Sequence, residues 1–446
     1  MQTLRWLLRP ISFLESSRRR FGETFSVRFL GFRQPMVMLS DADAIRTLYG
    51  NPEHGLPPGR TLALLPIVGR RSLLLLEDRE HLARRRLMLP PFHGERMRAY
   101  ESTVREVVAR DVASWPEGEP FAMHAHMQHV TLEVILRAVF GVTDPERRTR
   151  LADQLGRLLA QTASGGLQFA VLLSRRIGTR DPMTRLRALR REIDAMLDLE
   201  IAERRADPRE DILSMLVAAR FEGGEPMDDA EIRDQLMTLL VAGHETTATG
   251  LAWTFDLLVR HPAVLERLVA EVDAGEQTYA RAVVSESLRL RPVIPLAGRR
   301  LASPLRVDGH VLPAGTDVTP MIWLAHTRGD RYPEPFAFRP ERFLDGAPST
   351  SAWVPFGGGV RRCIGAAFAE MEMRVALAEI LRHRTLRSAS GEAERVAHRN
   401  VTFSPAGGTR VIAVARHPVA APADGGGPAS GAERLSACPR EHPPVS

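Results

Sequence analysis

The ten residues from Phe356 to Gly365 read FGGGVRRCIG and place one cysteine between a glycine-rich turn and a helix. Glycines allow the backbone to turn tightly and to approach a flat surface. The helix-forming run IGAAFAEMEMRVALAEILRHR follows directly, so Cys363 is predicted at or just before a helix N-terminus. The helix dipole, its unpaired N–H groups and the neighbouring Arg361 and Arg362 are expected to favour the thiolate over the thiol. Such a thiolate is a metal ligand or a nucleophile.

The same stretch satisfies the pattern F-x-x-G-x-R-x-C-x-G at every fixed position. An inert buried cysteine in a glycine-rich turn is the simpler alternative. The stretch resembles the haem-binding signature of the cytochrome P450 family. The resemblance implies that Cys363 is the axial thiolate ligand of a haem iron and that Arg361 binds a haem propionate. It also implies cofactor contacts at Phe356, Gly357 and Gly365.

Length and cysteine content set limits on the class of protein. A chain of 446 residues with 44% apolar content can bury a large core. Its two cysteines cannot form a disulfide framework, which indicates a reducing compartment. Zinc is a poor match, because it needs three or four protein ligands and Cys438 lies in a segment that looks unfolded. We expect no signal peptide and no membrane anchor, hence a cytoplasmic protein.

All 60 basic residues of the chain are arginine, since the sequence contains no lysine. The 54 acidic residues leave a net charge of +6, and both signs are spread along the chain. This pattern argues against a nucleic-acid partner.

A long helix with an irregular centre is predicted over residues 231–260, EIRDQLMTLLVAGHETTATGLAWTFDLLVR. It would begin with a capping-box-like Asp228, end at His261-Pro262 and measure about 45 Å. Its centre contains glycines, β-branched threonines and one carboxyl, all of which disfavour a buried helix. Residues that conflict with the structure around them are expected at functional sites. AGHETT, residues 242–247, matches the family's oxygen-activation pattern, which implies roles for Ala242 in the haem site and for Glu245 and Thr246 in proton delivery. A polar kink packed on another helix is the alternative.

Further haem contacts are implied by two arginines and a histidine elsewhere in the chain. His81 and Arg85 stand four residues apart on one face of a predicted helix. A solvated basic helix would explain them as well, but the family carries propionate-binding residues at this spacing. Arg299 stands where the family has another propionate-binding arginine, with Arg300 as the second choice.

A structural network is predicted in the E-x-x-R element formed by Glu286 and Arg289, whose spacing allows an ion pair. A surface salt bridge is the alternative. In the family this pair is buried and joined by the arginine of a P-E-R-F element, which matches Arg342.

Three histidines in HAHMQH, His124, His126 and His129, could suggest a metal site. The run VTLEVILRAVFGV that follows is predicted to form a buried helix. Histidines at its entry are more simply explained as surface or capping groups.

The remaining segments predict small β elements and a tail. TFSVRFLGFRQPMVMLS reads as two antiparallel strands about Gly31, LRVDGHVLPAG as a hairpin, and VTFSPAGGTRVIAVA as a last hairpin. Residues 417–446 are rich in Pro, Gly and Ala and are predicted to be disordered, which leaves residues 1–416 as one domain. The resemblance implies a mostly α fold with small β-sheets, arranged as a triangular α-rich body and a β-rich lobe.

The function implied by the resemblance is that of a monooxygenase with haem b, which inserts one atom of O₂ into a lipophilic small molecule. Alternatives are a haem-thiolate isomerase, dehydratase or peroxygenase, and a haem sensor without turnover. The motifs described above and the tail account for the chain and leave no segment for a fused reductase domain. We therefore expect electrons from NAD(P)H to arrive through a ferredoxin reductase and a ferredoxin. Arg362, Arg84 and Arg86 are the predicted docking face for this acidic partner. An arginine-rich solvated surface without a partner is the alternative. We expect a monomer.

Overall fold

The computed structural model describes residues 2–30, 34–56, 60–94, 96–163, 183–346, 351–399 and 401–416, and all structural statements concern these residues. Helices form most of the described chain. They are α1 (Gln2–Leu8), α2 (Pro10–Phe21), α3 (Ala42–Gly50), α4 (Arg60–Val68), α5 (Asp78–Met88), α6 (Arg96–Ala113), α7 (Met123–Val134), α8 (Pro145–Ala163), α9 (Thr184–Ala206), α10 (Ile212–Ala218), α11 (Asp229–Arg260), α12 (Pro262–Asp273), α13 (Thr278–Leu290), α14 (Ile322–His326) and α15 (Ala366–His383). Helix α7 continues into one π-helical segment, Ile135–Val139.

The strands are short and belong to four small sheets. They are β1 (Thr24–Val27), β2 (Met36–Leu39), β3 (Pro120–Ala122), β4 (Arg299–Arg300), β5 (Leu305–Val307), β6 (His310–Leu312), β7 (Asp317–Pro320), β8 (Arg384–Ser388), β9 (Val396–Arg399), β10 (Thr402–Pro405) and β11 (Arg410–Ala415). The sheet orders are β1-β2-β7-β4, β3-β11-β8, β5-β6 and β9-β10. Only β2 and β7 pair in parallel among the described strands. The predicted fold class, mostly α with small β-sheets, is confirmed.

Helix α11 has 32 residues and forms the centre of the described structure. The Asp228 side chain accepts a hydrogen bond from the N–H of Glu231, and the helix ends at His261, so both predicted boundaries are confirmed. Its second half, from Thr247 to Leu258, is buried continuously. A helix that is buried on all sides must be enclosed by other elements. Helices α7, α13 and α15 pack directly against it.

Three apolar clusters stabilise the elements around this helix. The largest lies among the helices and includes Trp115, Phe140 and Phe255. A second joins α3 to the sheet of β2 and β7. A third holds the N-terminal helices against β1 and β10 through Trp6 and Phe13.

Several local predictions are confirmed, and one hairpin is wrong. β1 and β2 pair antiparallel, as do β5 and β6. The predicted last hairpin does not form: β10 pairs with β9, while β11 pairs with β3 and β8. The turn at Gly407 and Gly408 therefore connects strands of two different sheets. The alternation of apolar and polar residues within a strand does not specify which sheet the strand joins.

Gly31 and the tail of residues 417–446 lie outside the described residues. The single domain of residues 1–416 and the disordered tail stay predictions. Among the helices that the structure describes, none combines the length and apolar content that crossing a membrane requires.

Candidate active site

The cysteine loop, residues 356–365, folds back on itself before α15. The N–H of Cys363 donates to the carbonyl of Phe356 at 2.9 Å, and the N–H of Arg362 donates to the carbonyl of Gly359 at 3.0 Å. Helix α15 begins three residues after the cysteine, which confirms the predicted position of the sulfur before a helix N-terminus. The N–H of Gly365 donates a hydrogen bond to this sulfur.

Two glycines of the loop pack against Tyr49 at the end of α3. A Cβ on Gly358 would lie 2.4 Å from the Tyr49 ring, and one on Gly359 would lie 2.1 Å from the Tyr49 carbonyl oxygen. Gly359 also has a φ of 65°, which disfavours other residues. The glycines are thus required by contact within the protein as well as by the tight turn.

The sequence predicts that the surroundings of Cys363 favour the thiolate. This prediction is wrong when only protein groups, and no bound metal, act on the sulfur. Burial raises the pKa of the thiol, and the lowering effects of the Gly365 N–H, Arg362 and Arg85 do not overcome it. The cysteine nevertheless has accessible surface. A sulfur that is surrounded by protein and still accessible lines a recess. Coordination by a metal cation deprotonates a thiol outright, so the raised pKa is compatible with a metal-bound thiolate.

Three arginines, which form a cationic group, lie beside the loop together with His81. Burial lowers the pKa of His81 to about 4, with further lowering by Arg361, Arg85 and Arg299, so these four side chains are close together. Arg85 in turn interacts with Cys363. The structure therefore brings together the histidine, the three arginines and the cysteine, which come from α5, β4 and the loop.

The arginines of this group have no carboxylate partner within 4.0 Å among the described residues. Arg361 donates to the Leu76 carbonyl at 2.7 Å, and burial lowers its pKa to about 10. Arg299 is 7% exposed, lies over the Tyr49 ring, and donates to the Gly358 carbonyl at 3.4 Å. Buried charges normally need an opposite charge. A bound cofactor with carboxylates, such as haem with its propionates, therefore fits the cationic group.

Arg300, the second choice for a propionate-binding arginine, pairs with a carboxylate of the protein. Its guanidinium forms two hydrogen bonds with the Asp317 carboxylate, at 2.8 Å and 3.0 Å. Of the two neighbouring arginines, Arg299 is the one that contacts the cysteine loop.

The centre of α11 carries Ala242, Glu245 and Thr246. Ala242 is exposed, although the helix is buried on both sides of this segment. The hydroxyl of Thr246 donates to the Ala242 carbonyl at 2.6 Å, one helical turn earlier. Further along, α11 packs on α15, where a Cβ on Gly250 would lie 3.2 Å from the Met373 methyl group. This packing joins the helix centre to the helix that follows the cysteine loop.

Glu245 is held by residues that sequence reasoning missed. Its Oε2 accepts a hydrogen bond from Gln128 at 2.6 Å, whereas its buried Oε1 has no hydrogen-bond partner among the described residues. His124 and Arg399 each lie 3.6 Å from Oε1. Burial raises the pKa of the carboxyl, against the opposing effects of Gln128, Arg399 and Thr249. A signal was available in HAHMQH, which contains both His124 and Gln128.

The three histidines of that segment serve different purposes. His124 is buried, so the prediction of a surface or capping group is wrong for it. His126 and His129 both hydrogen-bond the buried Asp111, at 3.0 Å and 2.8 Å. Within the described ranges no group of three or more His, Cys, Asp or Glu residues is arranged to hold a metal ion. The histidines therefore join α6, α7 and α11.

The E-x-x-R residues form a fully buried pair. Arg289 donates to both carboxylate oxygens of Glu286, at 2.6 Å and 2.7 Å, and both side chains have zero exposure. Arg342 donates to Glu286 at 3.3 Å. The remaining guanidinium N–H groups of Arg289 donate to the carbonyls of His326, Pro335 and Ala337. The structure thus brings the three predicted residues together.

The three arginines of the predicted docking face differ in their surroundings, and the docking face itself stays a prediction. Arg362 is exposed, but the Arg84 guanidinium lies 2.9 Å from the buried carboxylate of Glu231 and over the Phe221 ring. Arg86 is exposed but pairs with Glu222. Arg84 is wrong as a docking residue, because its charge is used to hold α5 against α11.

Comparisons with known proteins give the family. A model of the cytochrome P450 family matches residues 5–405. The chain is 42% identical to a Mycobacterium tuberculosis protein provisionally named cytochrome P450 135B1, over 94% of this chain and 91% of that protein. It is 38% identical to cytochrome P450 138 of the same organism, also a provisional name, over 91% and 94%.

Solved structures agree on the fold. Retinoic-acid-bound cyanobacterial CYP120A1 has a TM-score of 0.79 at 24% identity, with 93% of this chain and 96% of that chain covered. The cytochrome P450DA haem domain has a TM-score of 0.80 at 24% identity, with 92% and 93% covered. The chain belongs to the cytochrome P450 family. The family implies a haem iron cofactor and supports oxidoreductase chemistry of the monooxygenase type.

Proposed function

We propose that this protein is an O₂-dependent haem-thiolate monooxygenase that hydroxylates or epoxidises a lipophilic small molecule. The observation that carries the proposal is the accessible Cys363 beside buried arginines without carboxylate partners, on a scaffold whose central helix carries Glu245 and Thr246. We place the reaction in bacterial specialised metabolism, with terpenoid, polyketide or fatty-acid-like substrates. We further propose that the enzyme is cytoplasmic and monomeric.

The haem-binding residues follow from the cationic group. Cys363 would supply the thiolate ligand of the haem iron, while His81, Arg85, Arg299 and Arg361 would hold the two propionates. Bound haem supplies the oxidative chemistry, and thiolate ligation favours cleavage of the O–O bond. Phe356, Gly357, Gly365 and Ala242 would line the cofactor.

Proton transfer would depend on Glu245 and Thr246. The raised pKa of Glu245 keeps a fraction of the carboxyl protonated nearer neutral pH, which suits a general acid. Its Oε1 has no hydrogen-bond partner in the described part of the chain and is free to hold a proton. The Thr246 hydroxyl, one residue on, would pass this proton to the reacting centre. Gln128 would fix the carboxyl without neutralising it.

Electrons would come from NAD(P)H through a ferredoxin reductase and a ferredoxin. Arg362 is exposed next to Cys363. Arg281 and Arg374 lie near Glu370, as Arg362 does. Arg281 and Arg374 also line a surface cavity of about 410 Å³. The exposed Arg362 and Arg281, in place of Arg84, would attract an acidic ferredoxin, whereas Arg374 is already paired with Glu101 at 3.2 Å.

The test is turnover with isotope-labelled O₂. A lipophilic library is first screened for compounds that shift the optical spectrum of the haem-loaded protein. With the selected compound, ferredoxin, reductase and NADPH, the product should contain one labelled oxygen atom. A product without labelled oxygen would indicate an isomerase, dehydratase or peroxygenase. Binding without any product or NADPH consumption would indicate a sensor.

A further inference from the structure

The N-terminal region exposes an unusual amount of leucine surface, which we call the leucine face. It consists of three residues of α1 and one residue after β1: Leu4 at 57% exposure, Leu7 at 52%, Leu8 at 69% and Leu30 at 87%. Single exposed apolar residues are common on proteins, but a contiguous group marks an interaction site.

The leucine face lies opposite the side of α1 that is already packed. Trp6 is buried and contacts the rings of Phe13, Phe29 and Phe403. Leu4, Leu7 and Leu8 are spaced three and four residues apart, so they share the other side of the helix. A helix that is apolar on both sides is normally covered on both sides.

Two hydrogen bonds bring Leu30 to the same place. Its N–H donates to the hydroxyl of Thr3 at 2.8 Å, and the N–H of Arg28 donates to the side chain of Gln2 at 2.9 Å. The chain after β1 is thus fixed to the start of α1. Leu30 therefore extends the surface formed by the helix.

The surroundings of the leucine face are positively charged. The first 22 residues contain five arginines and one acidic residue, Glu15. Glu15 is already paired with Arg18 at 2.9 Å. Arg9 and Arg28 are exposed, and neither has a carboxylate within 4.0 Å among the described residues. Leucine surrounded by unpaired arginine is the composition of segments that lie on anionic membranes.

We propose that the leucine face docks the protein reversibly on the surface of an anionic lipid bilayer, with α1 lying in the interface. A second copy of the chain fits poorly, because a symmetric contact through this face would bring arginines against arginines. Insertion across the bilayer is not involved, since a helix of seven residues is only about 10 Å long. Apolar insertion and attraction to anionic headgroups together give binding that salt weakens.

The test is sedimentation of the full-length, haem-loaded protein with lipid vesicles. Phosphatidylcholine vesicles that contain phosphatidylglycerol should carry the protein into the pellet, and vesicles of phosphatidylcholine alone should carry much less. Raising the salt concentration should release the protein. A protein that stays in the supernatant with both kinds of vesicle would overturn the proposal.

Variants separate the apolar contribution from the charged one. Replacing Leu7 and Leu8 together by Gln should lower the vesicle partition coefficient about tenfold or more, because apolar burial is lost. Replacing Arg9 and Arg28 by Gln should lower the preference for anionic lipid. Leu199→Gln is the matched control, since Leu199 is 63% exposed on α9, and its binding should equal that of the wild type.

Two further outcomes would count against the bilayer. Equal loss of binding in the Leu199→Gln control and the leucine-face variant would contradict a specific face. A dimer in sedimentation velocity that the Leu7→Gln, Leu8→Gln variant converts to monomer would assign the leucine face to self-association. Unchanged unfolding midpoints of the variants exclude loss of folding as the cause of any change.

Discussion

Glu286 and Glu245 are both carboxylates on helices of the core, yet their surroundings differ. Both oxygens of Glu286 accept hydrogen bonds from Arg289, and Arg342 adds another. Glu245 has one hydrogen bond to a neutral amide, from Gln128, and one oxygen without any among the described residues. The first arrangement pairs both carboxylate oxygens with arginine. The second leaves one carboxylate oxygen without a hydrogen bond in the described part of the chain, with Arg399 and His124 at 3.6 Å, as the proposed proton-delivery role requires of a carboxyl that is not fully paired.

The largest effect is expected at the fully paired carboxylate. Glu286→Gln leaves the buried Arg289 charge without compensation, which typically costs about 3–5 kcal/mol of stability. We expect a large fall in the denaturant midpoint or failure to accumulate folded protein. Glu222→Gln is the matched control, because its pair with Arg86 is exposed and should contribute little. Equal midpoints for the Glu286 and Glu222 variants would contradict the structural role.

At Glu245 the effect should appear in turnover rather than in folding. Glu245→Gln keeps the shape and the contact with Gln128 but removes the titratable proton, so product formed per NADPH consumed should fall. Loss of a general acid typically costs about 10²-fold or more in rate. Glu372→Gln makes the same change in another buried carboxyl and should leave coupling unchanged. Wild-type coupling in Glu245→Gln would show that another group delivers the proton.

A third carboxyl, Glu372, predicts a pH effect on stability. Burial raises its pKa from 4.5 in the unfolded chain to about 8 in the folded protein. Between these values the folded state binds more protons, so its contribution to stability is full below pH 4.5 and is lost as the pH rises toward 8. Glu372→Gln should therefore be more stable than the wild type at pH 8 and similar at pH 5. Unfolding midpoints at both pH values test this, and an identical difference at both would contradict it.

The smallest effect is expected at the surface. Arg362→Glu should slow the first electron transfer from an acidic ferredoxin several-fold and weaken its salt dependence, because steering falls with the charge of the docking face. Arg191→Glu reverses an exposed arginine on α9 and should leave the rate unchanged. Stopped-flow reduction at low and high salt measures both. A rate that is flat with salt in the wild type would count against this docking face.

Motifs with fixed spacing could be predicted well from the sequence. The cysteine loop, the centre of α11 and the Glu286 pair are local patterns, and the structure places them before α15, on α11 and on α13. Long-range partners could not be predicted. Gln128 and Arg399 meet Glu245 from α7 and β9, and no local pattern links these segments.

Burial was the other property that the sequence did not reveal. Arg84 looks like a surface charge in an arginine-rich run, but its partner Glu231 is buried on α11. The thiolate prediction for Cys363 counted nearby cations and omitted burial, which raises the pKa of the thiol in the absence of a metal. Both errors arise because charge is visible in a sequence, whereas the surrounding protein is not.

The role of Cys363 is tested most directly by the optical spectrum of the reduced, carbon-monoxide-treated protein. The wild type should give the red-shifted Soret band that requires a thiolate ligand of the haem iron, and Cys363→Ser should lose it. Cys438→Ser, which changes the second cysteine of the chain, should keep the wild-type spectrum. Retention of the red-shifted band in Cys363→Ser would contradict the assignment of this cysteine as the haem ligand.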